Sequence, residues 1–181
     1  MQYRLKKTVV LVGMMGAGKS AVGRALADAL AVPFLDSDDE IVAAANMSVA
    51  EIFDRDGEPF FRRKESQVIL RLLTEARGVL STGGGAFMQD DNRRNIAAHG
   101  VAVWLDADLD LLWQRVRKRD TRPLLRTADP RATLAEIHRA RVPTYALAAL
   151  KVTARPEYSI EDMAARVIDA LLTRPDVLET P

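Results

Sequence analysis

The sequence predicts an α/β protein, in which helices flank a parallel β-sheet. Three observations support this class. Short runs of β-branched and apolar residues alternate with longer segments of helical period, and several of these runs are too apolar for a half-exposed strand. A glycine-rich segment also joins the first run to the first helix. Because 181 residues suit one domain, we expect a single domain over residues 1–181.

Five strands and two well-patterned helices follow from these periods. The predicted strands are, in chain order, Thr8–Val12, Val32–Asp36, Val79–Thr82, Val101–Leu105 and Leu150–Thr153. The helices with the clearest apolar face are Lys19–Leu30 and Ile160–Leu172. The width of that apolar face predicts that both helices pack on the sheet.

Helix ends are marked by polar and glycine signals. Ser48-x-x-Glu51 and Ser159-x-x-Asp162 have the spacing of capping boxes, so we expect a helix to begin after each serine. Gly100 follows a helical segment and is interpreted as the glycine that ends it.

Two segments lack any regular period. Residues 117–130 are rich in arginine and contain two prolines, which predicts a mobile surface loop. Residues 173–181 are interpreted as a frayed tail.

Composition excludes several classes of protein. The chain has 26 Lys and Arg against 25 Asp and Glu, so it lacks the broad basic field of a nucleic-acid binder. The absence of Cys excludes disulfides, thiolate zinc sites and cysteine nucleophiles. The longest apolar stretches, such as Val101–Leu105, are far shorter than the ~18 residues of a membrane span, and no signal-peptide core is seen. We expect a cytoplasmic protein without a membrane partner.

A phosphate-binding motif lies between the first strand and the first helix. Gly13-Met-Met-Gly-Ala-Gly18-Lys19-Ser20 matches G-x-x-x-x-G-K-[ST], in which backbone N–H groups and the helix N-terminus bind phosphate. Lys19 is expected to reach the β and γ phosphates, and the Ser20 hydroxyl to bind Mg²⁺. The predicted nucleotide contacts are Gly16, Ala17, Gly18, Lys19, Ser20 and Ala21. The alternative is a plain glycine-rich turn, but the flanking strand and helix favour a nucleotide site.

The rest of the chain narrows the class of nucleotide-binding protein. Asp54-x-x-Gly57 imitates a GTPase switch motif, yet no Asn-Lys-x-Asp or Thr-Lys-x-Asp guanine-reading motif follows it. Motor and helicase ATPases usually carry larger cores than this chain could form. The sequence therefore favours a small kinase.

Two carboxylates follow the second predicted strand. Asp36 and Asp38 lie at the carboxyl end of that strand, which is the edge where open α/β sheets bind ligands. One could hold the hydration shell of Mg²⁺ while the other orients and deprotonates an acceptor hydroxyl. The alternative is an acidic cap for a helix that starts near Asp39. Asp106 ends a similar apolar run, and either it or Asp108 is interpreted as the cap of the following helix.

Four further motifs complete the pattern. They are Gly57-Glu-Pro-Phe-Phe-Arg62-Arg-Lys-Glu65, Ser81-Thr-Gly83-Gly84-Gly85, Arg122-Pro-Leu-Leu125 and Arg141-Val-Pro-Thr-Tyr145. In this order and spacing, from residue 8 to about residue 172, the chain resembles the shikimate kinase family. The resemblance implies a three-layer α/β/α P-loop fold of the nucleoside-monophosphate-kinase type, with about five parallel strands in the order 2-3-1-4-5 and a mobile lid.

The activity that the resemblance implies is transfer of the ATP γ-phosphoryl group to the 3-hydroxyl of shikimate, with Mg²⁺, in the pathway to chorismate and the aromatic amino acids. The family usually works as a cytoplasmic monomer. Asp36 then corresponds to the Mg²⁺-associated residue and Asp38 to the residue that grips the shikimate hydroxyls. Arg62 and Arg141 correspond to the pair that clamps the substrate carboxylate, which suits arginine because its fork binds carboxylates bidentately. Without the resemblance, each arginine would be interpreted as a solvated surface residue.

The same resemblance implies roles for the remaining motifs. Gly83, Gly84 and Gly85 would let backbone amides approach the ligand, although a plain strand-to-helix turn is the alternative. Phe53 and Phe61 would be apolar walls of an acceptor-binding region over residues 37–65, or else core residues. Glu65 would orient the arginine pair.

The resemblance also assigns the arginine-rich segment. Residues 117–130 correspond to the family lid, with Arg122 over the transferring phosphates. Arg155 would lie against adenine, with Arg117 or Arg119 on its other face. A nucleic-acid patch is the rival interpretation, but no aromatic residues are interleaved for stacking. Ala21 stands where many members have Thr, and Ser20 still supplies the metal hydroxyl.

Two other functions remain open at this point. One is another small-metabolite kinase, such as a gluconate kinase, whose acceptor lacks the flat ring that two phenylalanines could flank. The other is a non-catalytic ATP-binding regulator.

Overall fold

A five-stranded parallel sheet organises the protein. The structure, a computed structural model, describes residues 2–118 and 125–181. The strands are β1 (Arg4–Leu5), β2 (Thr8–Val12), β3 (Phe34–Asp36), β4 (Val79–Ser81), β5 (Gly100–Asp106), β6 (Leu150–Thr153) and β7 (Leu178–Glu179). The large sheet has the order β3-β4-β2-β5-β6, with every neighbouring pair parallel. Numbered among the five predicted strands, this is the expected order 2-3-1-4-5.

Helices cover the sheet and connect its strands. They are α1 (Lys19–Leu30), α2 (Ser37–Ala45), α3 (Val49–Asp56), α4 (Glu58–Glu75), α5 (Asp90–His99), α6 (Leu109–Val116), α7 (Pro130–Tyr145) and α8 (Ile160–Leu172), with a 3₁₀ helix at Ala86–Met88. The α/β class and the two well-patterned helices are confirmed. Helices α1 and α8 pack against each other, and both bury their apolar faces in the main core. Strand β2, which leads into the phosphate-binding motif, is buried along its whole length.

Three strands have boundaries that differ from the predicted ones. Strand β3 begins two residues later than expected because Pro33 has no N–H to donate, although its carbonyl still accepts from the Val79 N–H at 2.9 Å. Strand β4 ends one residue early, at Ser81. Strand β5 starts at Gly100, whose φ of −156° is extended. Gly100 also ends α5 as predicted, because it follows the last helical residue and its N–H donates to the Ile96 carbonyl oxygen. A Cβ there would lie 2.5 Å from the Thr8 carbonyl oxygen, so glycine permits close strand packing.

Helix caps largely follow the sequence signals. Ser159 and Asp162 form the predicted reciprocal box, with bonds of 3.0 and 2.9 Å between each side chain and the other residue's N–H. Ser48 caps α3 by accepting from the Glu51 N–H at 3.1 Å. The Glu51 carboxylate accepts from the Ser48 hydroxyl instead of its N–H, so the second half of that box does not form. Asp108 caps α6, as expected.

Helices α2, α3 and α4 form a small subassembly beside β3. Its own core consists of Ile41, Ile52 and Phe61. Gly57, with φ of 84°, separates α3 from α4 and sets the angle between them. This subassembly holds four of the predicted acceptor-binding residues: Asp38, Phe53, Phe61 and Arg62.

The expectation of a frayed tail is wrong. Strand β7 pairs antiparallel with β1, and we call this two-stranded pair the terminal clasp. Val177 and Leu178 are buried, and Lys6 forms an ion pair with Glu179 at 2.6 Å. The apolar side chains of Val177 and Leu178 are buried in the core and so fix this segment, which its charged neighbours could not do. Within the described ranges, no helix combines the length and apolarity needed to cross a membrane.

Candidate active site

The phosphate-binding loop curls between β2 and α1. Gly13, Gly16 and Gly18 adopt φ values of 146°, 83° and 93°, which side-chain-bearing residues rarely reach. Gly18 precedes the first turn of α1, so the N–H groups of that turn face the loop's concavity. The Lys19 ammonium donates to the carbonyl oxygens of Gly13 and Met14, at 2.6 and 2.9 Å. The loop thereby holds a buried cation beside the N-terminus of a helix.

A cavity of about 560 Å³, which we call the phosphate cavity, opens over this loop. It is lined by Gly16, Ala17, Gly18, Lys19, Ser20, Ala21, Val22, Arg24, Asp36, Asp38, Ser81, Thr82, Gly83, Gly84, Arg115, Tyr158, Ser159, Ile160 and Met163. All six predicted nucleotide contacts of the loop are therefore in one cavity with both aspartates and two of the three consecutive glycines.

Asp36 bonds to both the start of α2 and the phosphate-binding loop. Its Oδ1 accepts from the N–H groups of Asp38 and Asp39 at 2.9 and 3.2 Å, so it caps α2. Its Oδ2 accepts from the Ser20 hydroxyl at 2.7 Å. A hydroxyl and a carboxylate are ligands that Mg²⁺ takes together with phosphate oxygens. Among residues 2–118 and 125–181, no cluster of three or more His, Asp or Glu side chains could hold a metal alone, so a bound Mg²⁺ would depend on those phosphates.

Asp38 lies where the phosphate cavity meets the glycine turn at Gly83–Gly85. It occupies the first turn of α2, and its carboxylate lines the cavity. A Cβ built on Gly83 would lie 2.9 Å from Asp38 Oδ1 and 3.0 Å from Glu65 Oε2. Two carboxylates therefore converge on this glycine.

Arg62 and Glu65 face each other one turn apart on α4. The Arg62 Nη1 is 3.0 Å from Glu65 Oε1, and its Nη2 is 3.3 Å from Glu58 Oε1. The Glu65 side chain is fully buried. Burial raises the pKa of Glu65 to about 7, and the Asp38 charge adds to that rise, while Arg62 and Arg141 oppose it. The expected orientation of Arg62 by Glu65 matches this contact.

Helix α7 brings Arg141 and Tyr145 to the same turn. A Cβ on Gly84 would lie 3.1 Å from Arg141 Nη1. The hydroxyl of the buried Tyr145 donates to the Gly84 carbonyl oxygen, and its ring stacks on Trp104 with centroids 6.0 Å apart. Burial raises the pKa of Tyr145, so it keeps its proton as a donor. This link between α7 and the glycine turn had no assigned role in the sequence pattern.

The two predicted aromatic walls are in contact with each other. The Phe53 and Phe61 rings are 4.9 Å apart, Phe61 is buried in the small core, and neither lines the phosphate cavity. The Arg62 guanidinium carbon lies 5.2 Å from the Phe61 ring centroid, within cation–π range. Phe61 thus packs against the Arg62 guanidinium from within the small core.

The predicted adenine contacts differ from what lines the cavity. Arg155 is exposed and is not among the lining residues, which instead include Tyr158 and Ser159 at the start of α8. Arg115, on α6, lines the cavity and donates to the Gly16 carbonyl oxygen at 3.0 Å. The sequence pattern assigned no role to Arg115, whose neighbour Val116 lies against Gly16.

Several lid predictions fall on residues that are not described. Arg119 and Arg122 lie outside the described ranges, so their predicted contacts stay predictions. Leu125, at the next described position, is buried in the main core.

Comparison with known proteins identifies the family. The shikimate kinase family model matches residues 15–172. A shikimate kinase of Ruegeria pomeroyi is 68% identical over 175 residues, covering 97% of this chain and 90% of that protein. The solved structure of a shikimate kinase from Acinetobacter baumannii in complex with shikimate has a TM-score of 0.88 at 35% identity, covering 92% of this chain and 93% of the other. A gluconokinase from Sinorhizobium meliloti, 17% identical with a TM-score of 0.59, shares the fold alone.

The matched segment runs from within the phosphate-binding loop to the end of α8, so it includes both aspartates, both arginines and the glycine turn. The family match therefore covers the described site except Gly13 and Met14 at the start of the phosphate-binding loop. This chain belongs to the shikimate kinase family, and it is an ATP-dependent phosphotransferase.

Proposed function

We propose that this protein transfers the γ-phosphoryl group of ATP to the 3-hydroxyl of shikimate, producing shikimate 3-phosphate and ADP. The observation that carries this proposal is the glycine turn at Gly83–Gly85. The phosphate cavity lies on one side of it, and Asp38, Arg62 and Arg141 approach it from α2, α4 and α7. A donor phosphate and a small acceptor with a hydroxyl and a carboxylate could therefore meet at this turn.

The phosphate-binding loop would hold the nucleotide. Its N–H groups and the α1 N-terminus stabilise the phosphate charge, and Lys19 exchanges its two carbonyl contacts for phosphate oxygens. Ser20 and Asp36 would hold Mg²⁺, which when bound neutralises charge on the β and γ phosphates. Arg115, which also lines this cavity, would contact the nucleotide.

Asp38 would act on the acceptor. Its carboxylate accepts a hydrogen bond from the substrate hydroxyl, orients that oxygen toward the γ-phosphorus and takes its proton. The new bond joins the hydroxyl oxygen to phosphorus, and the bond from that phosphorus to the bridging oxygen of ADP breaks. Catalysis then depends on position and charge neutralisation rather than on a covalent intermediate.

Arg62 and Arg141 would bind the substrate carboxylate. Arg62 already has two carboxylate partners on α4, and the rise in the pKa of Glu65 reduces the negative charge that competes with the substrate. Partly buried guanidinium groups bind an anion more strongly than a neutral group, because a charge-assisted bond is the stronger one. The pair therefore favours acceptors that carry a carboxylate.

The remaining roles rest on the family resemblance. Residues 117–130 would form a lid that brings Arg122 to the transferring phosphate, Arg155 would approach adenine, and Phe53 and Phe61 would border the acceptor-binding region over residues 37–65. We also propose a monomer that works in the cytoplasm, without nucleic-acid or membrane partners. Size-exclusion chromatography with light scattering tests the monomer.

A coupled assay for ADP release tests the reaction. ADP should form rapidly with ATP, Mg²⁺ and shikimate, and only at background rate with gluconate or with no acceptor. Rapid release with gluconate would favour the rival sugar-acid kinase. If no acceptor increases the rate of ADP release, the result would favour a nucleotide-binding regulator.

A further inference from the structure

Gly83, Gly84 and Gly85 are not explained by backbone conformation. Among the described residues, the glycines with positive φ are Gly13, Gly16, Gly18 and Gly57, so none of the three consecutive glycines belongs to that group. Gly85, for example, has φ of −89° and ψ of −7°, which alanine adopts without strain. The reason for glycine in this turn must therefore be space.

Each missing side chain leaves room for a different charged group. A Cβ on Gly83 would lie 2.9 Å from Asp38 Oδ1, and one on Gly84 would lie 3.1 Å from Arg141 Nη1. A Cβ on Gly85 would lie 2.5 Å from the Arg62 Cζ and 2.6 Å from its Nη1. Real Cβ atoms essentially never come within 3.0 Å of another heavy atom, so a methyl group at Gly83 or Gly85 would displace its neighbour.

We propose that these three glycines are positioning and specificity-determining residues, each of which determines where charged side chains lie by leaving their space empty. Gly83 positions the carboxylates of Asp38 and Glu65, Gly84 positions Arg141 and Gly85 positions Arg62. The kinetic roles of these side chains rest on the proposed function, whereas their displacement by a methyl group does not.

The displaced groups are the ends of flexible side chains, so alanine variants should still fold. The guanidinium of Arg62 can swing away from residue 85 without moving α4. Arg141 has less freedom, because Tyr145 on the same helix is bonded to the Gly84 carbonyl oxygen. Gly84 also lies near the backbone of the phosphate-binding loop, with its Cβ position 3.4 Å from the Met15 nitrogen. The cleanest effect is therefore expected at Gly85.

The first test measures side-chain position without substrate. In ¹⁵N-labelled, ligand-free protein, Gly85→Ala should shift the Nε–Hε resonance of Arg62 and leave that of Arg141 in place. Gly84→Ala should do the reverse. Unchanged arginine resonances in both variants would overturn the proposal whether or not the protein phosphorylates shikimate.

The second test is a double-mutant cycle with shikimate as substrate. Gly85→Ala should raise the KM for shikimate by about tenfold, the size expected for a weakened bond to a charged group, and should change the KM for ATP by less than about twofold. In an Arg62→Ala background, the same glycine change should add less than about twofold, because the displaced group is gone. Equal effects in both backgrounds would show a general defect of the turn and would contradict the proposal.

Leu178→Ala is the control for lost stability. Leu178 is buried in β7 of the terminal clasp and does not line the phosphate cavity. This variant should be destabilised while its shikimate KM stays within about twofold of the parent value. A tenfold rise there would mean that instability alone explains the Gly85 result, and would overturn the proposal. Absence of shikimate turnover in the parent protein would instead refute the proposed function, leaving the resonance test to decide the placement of the arginines.

Discussion

Replacement of Glu65 by glutamine should remove a pH dependence of stability that the buried carboxyl imposes. Glu65 is fully buried, and its pKa is raised from 4.5 to about 7, chiefly by desolvation. The folded protein therefore holds this proton more tightly than the unfolded chain does. As the pH rises from 4.5 to about 7, the unfolded state loses the proton first, and the free energy of unfolding falls.

The size of this effect follows from the shift. Each pKa unit corresponds to about 1.4 kcal/mol, so a rise from 4.5 to about 7 corresponds to roughly 3 kcal/mol of stability lost between mildly acidic and mildly alkaline pH. Glutamine has the same shape as the protonated acid and does not ionise. Relative to the parent protein, Glu65→Gln should therefore gain roughly 3 kcal/mol between about pH 4.5 and about pH 8.

Urea unfolding at several pH values measures this gain, because other ionisable groups cancel in the difference between the two proteins. Glu58→Gln is the matched control, since Glu58 also pairs with Arg62 but its side chain is 50% exposed. The control should show less than about 1 kcal/mol of pH-dependent difference. A constant stability difference between Glu65→Gln and the parent over this pH range, or an equal gain in the control, would refute the reasoning.

Three further predictions concern catalysis. Lys19→Ala should abolish turnover in the ADP-release assay while the thermal unfolding curve stays cooperative; a folded variant with parent-like activity would contradict the assigned phosphate contact. Asp38→Asn should lower kcat by about 10²–10⁴-fold with nucleotide affinity roughly retained, as measured by steady-state kinetics and calorimetric titration of an ATP analogue. If the variant lost nucleotide binding but kept shikimate binding, Asp38 would belong to the nucleotide site instead. Shikimate methyl ester should have a kcat/KM at least about tenfold below that of the acid, because Arg62 and Arg141 would lose their anion; equal values would remove the carboxylate clamp.

Much of the fold could be predicted because local pattern and tertiary environment agree. Strand β2 and helix α1 begin and end where predicted, since a fully apolar run, a glycine-rich loop and an apolar helix face follow one another. The two-residue strands β1 and β7 are too short to show a period, and each depends on a partner at the opposite end of the described chain. No local signal could have indicated that pairing.

The sequence predicted that the loop residues and both aspartates lie together, but it did not predict their contacts. The motif predicts that Lys19 binds phosphate. The structure adds that the Lys19 ammonium donates to two carbonyl oxygens of its own loop. Tyr145 and Arg115 donate to the carbonyl oxygens of Gly84 and Gly16. Sequence spacing does not indicate such bonds, because every residue carries a backbone carbonyl. Gly85 was interpreted through the backbone, whereas its neighbour is an arginine side chain from another helix.

The terminal clasp bears on the order in which the protein folds. Lys6 donates to the Pro175 carbonyl across 169 residues, and closing a flexible loop of that length costs about 5 kcal/mol in chain entropy before any contact is gained. Once the large sheet exists, β2 and α8 already hold both segments near each other, so that cost no longer opposes the pairing. Until then, β1 is an unpaired strand edge that a second copy could join. Arg4 in β1, with Lys6 and Lys7 just after it, puts positive charge at this edge, and like charges disfavour pairing between two copies.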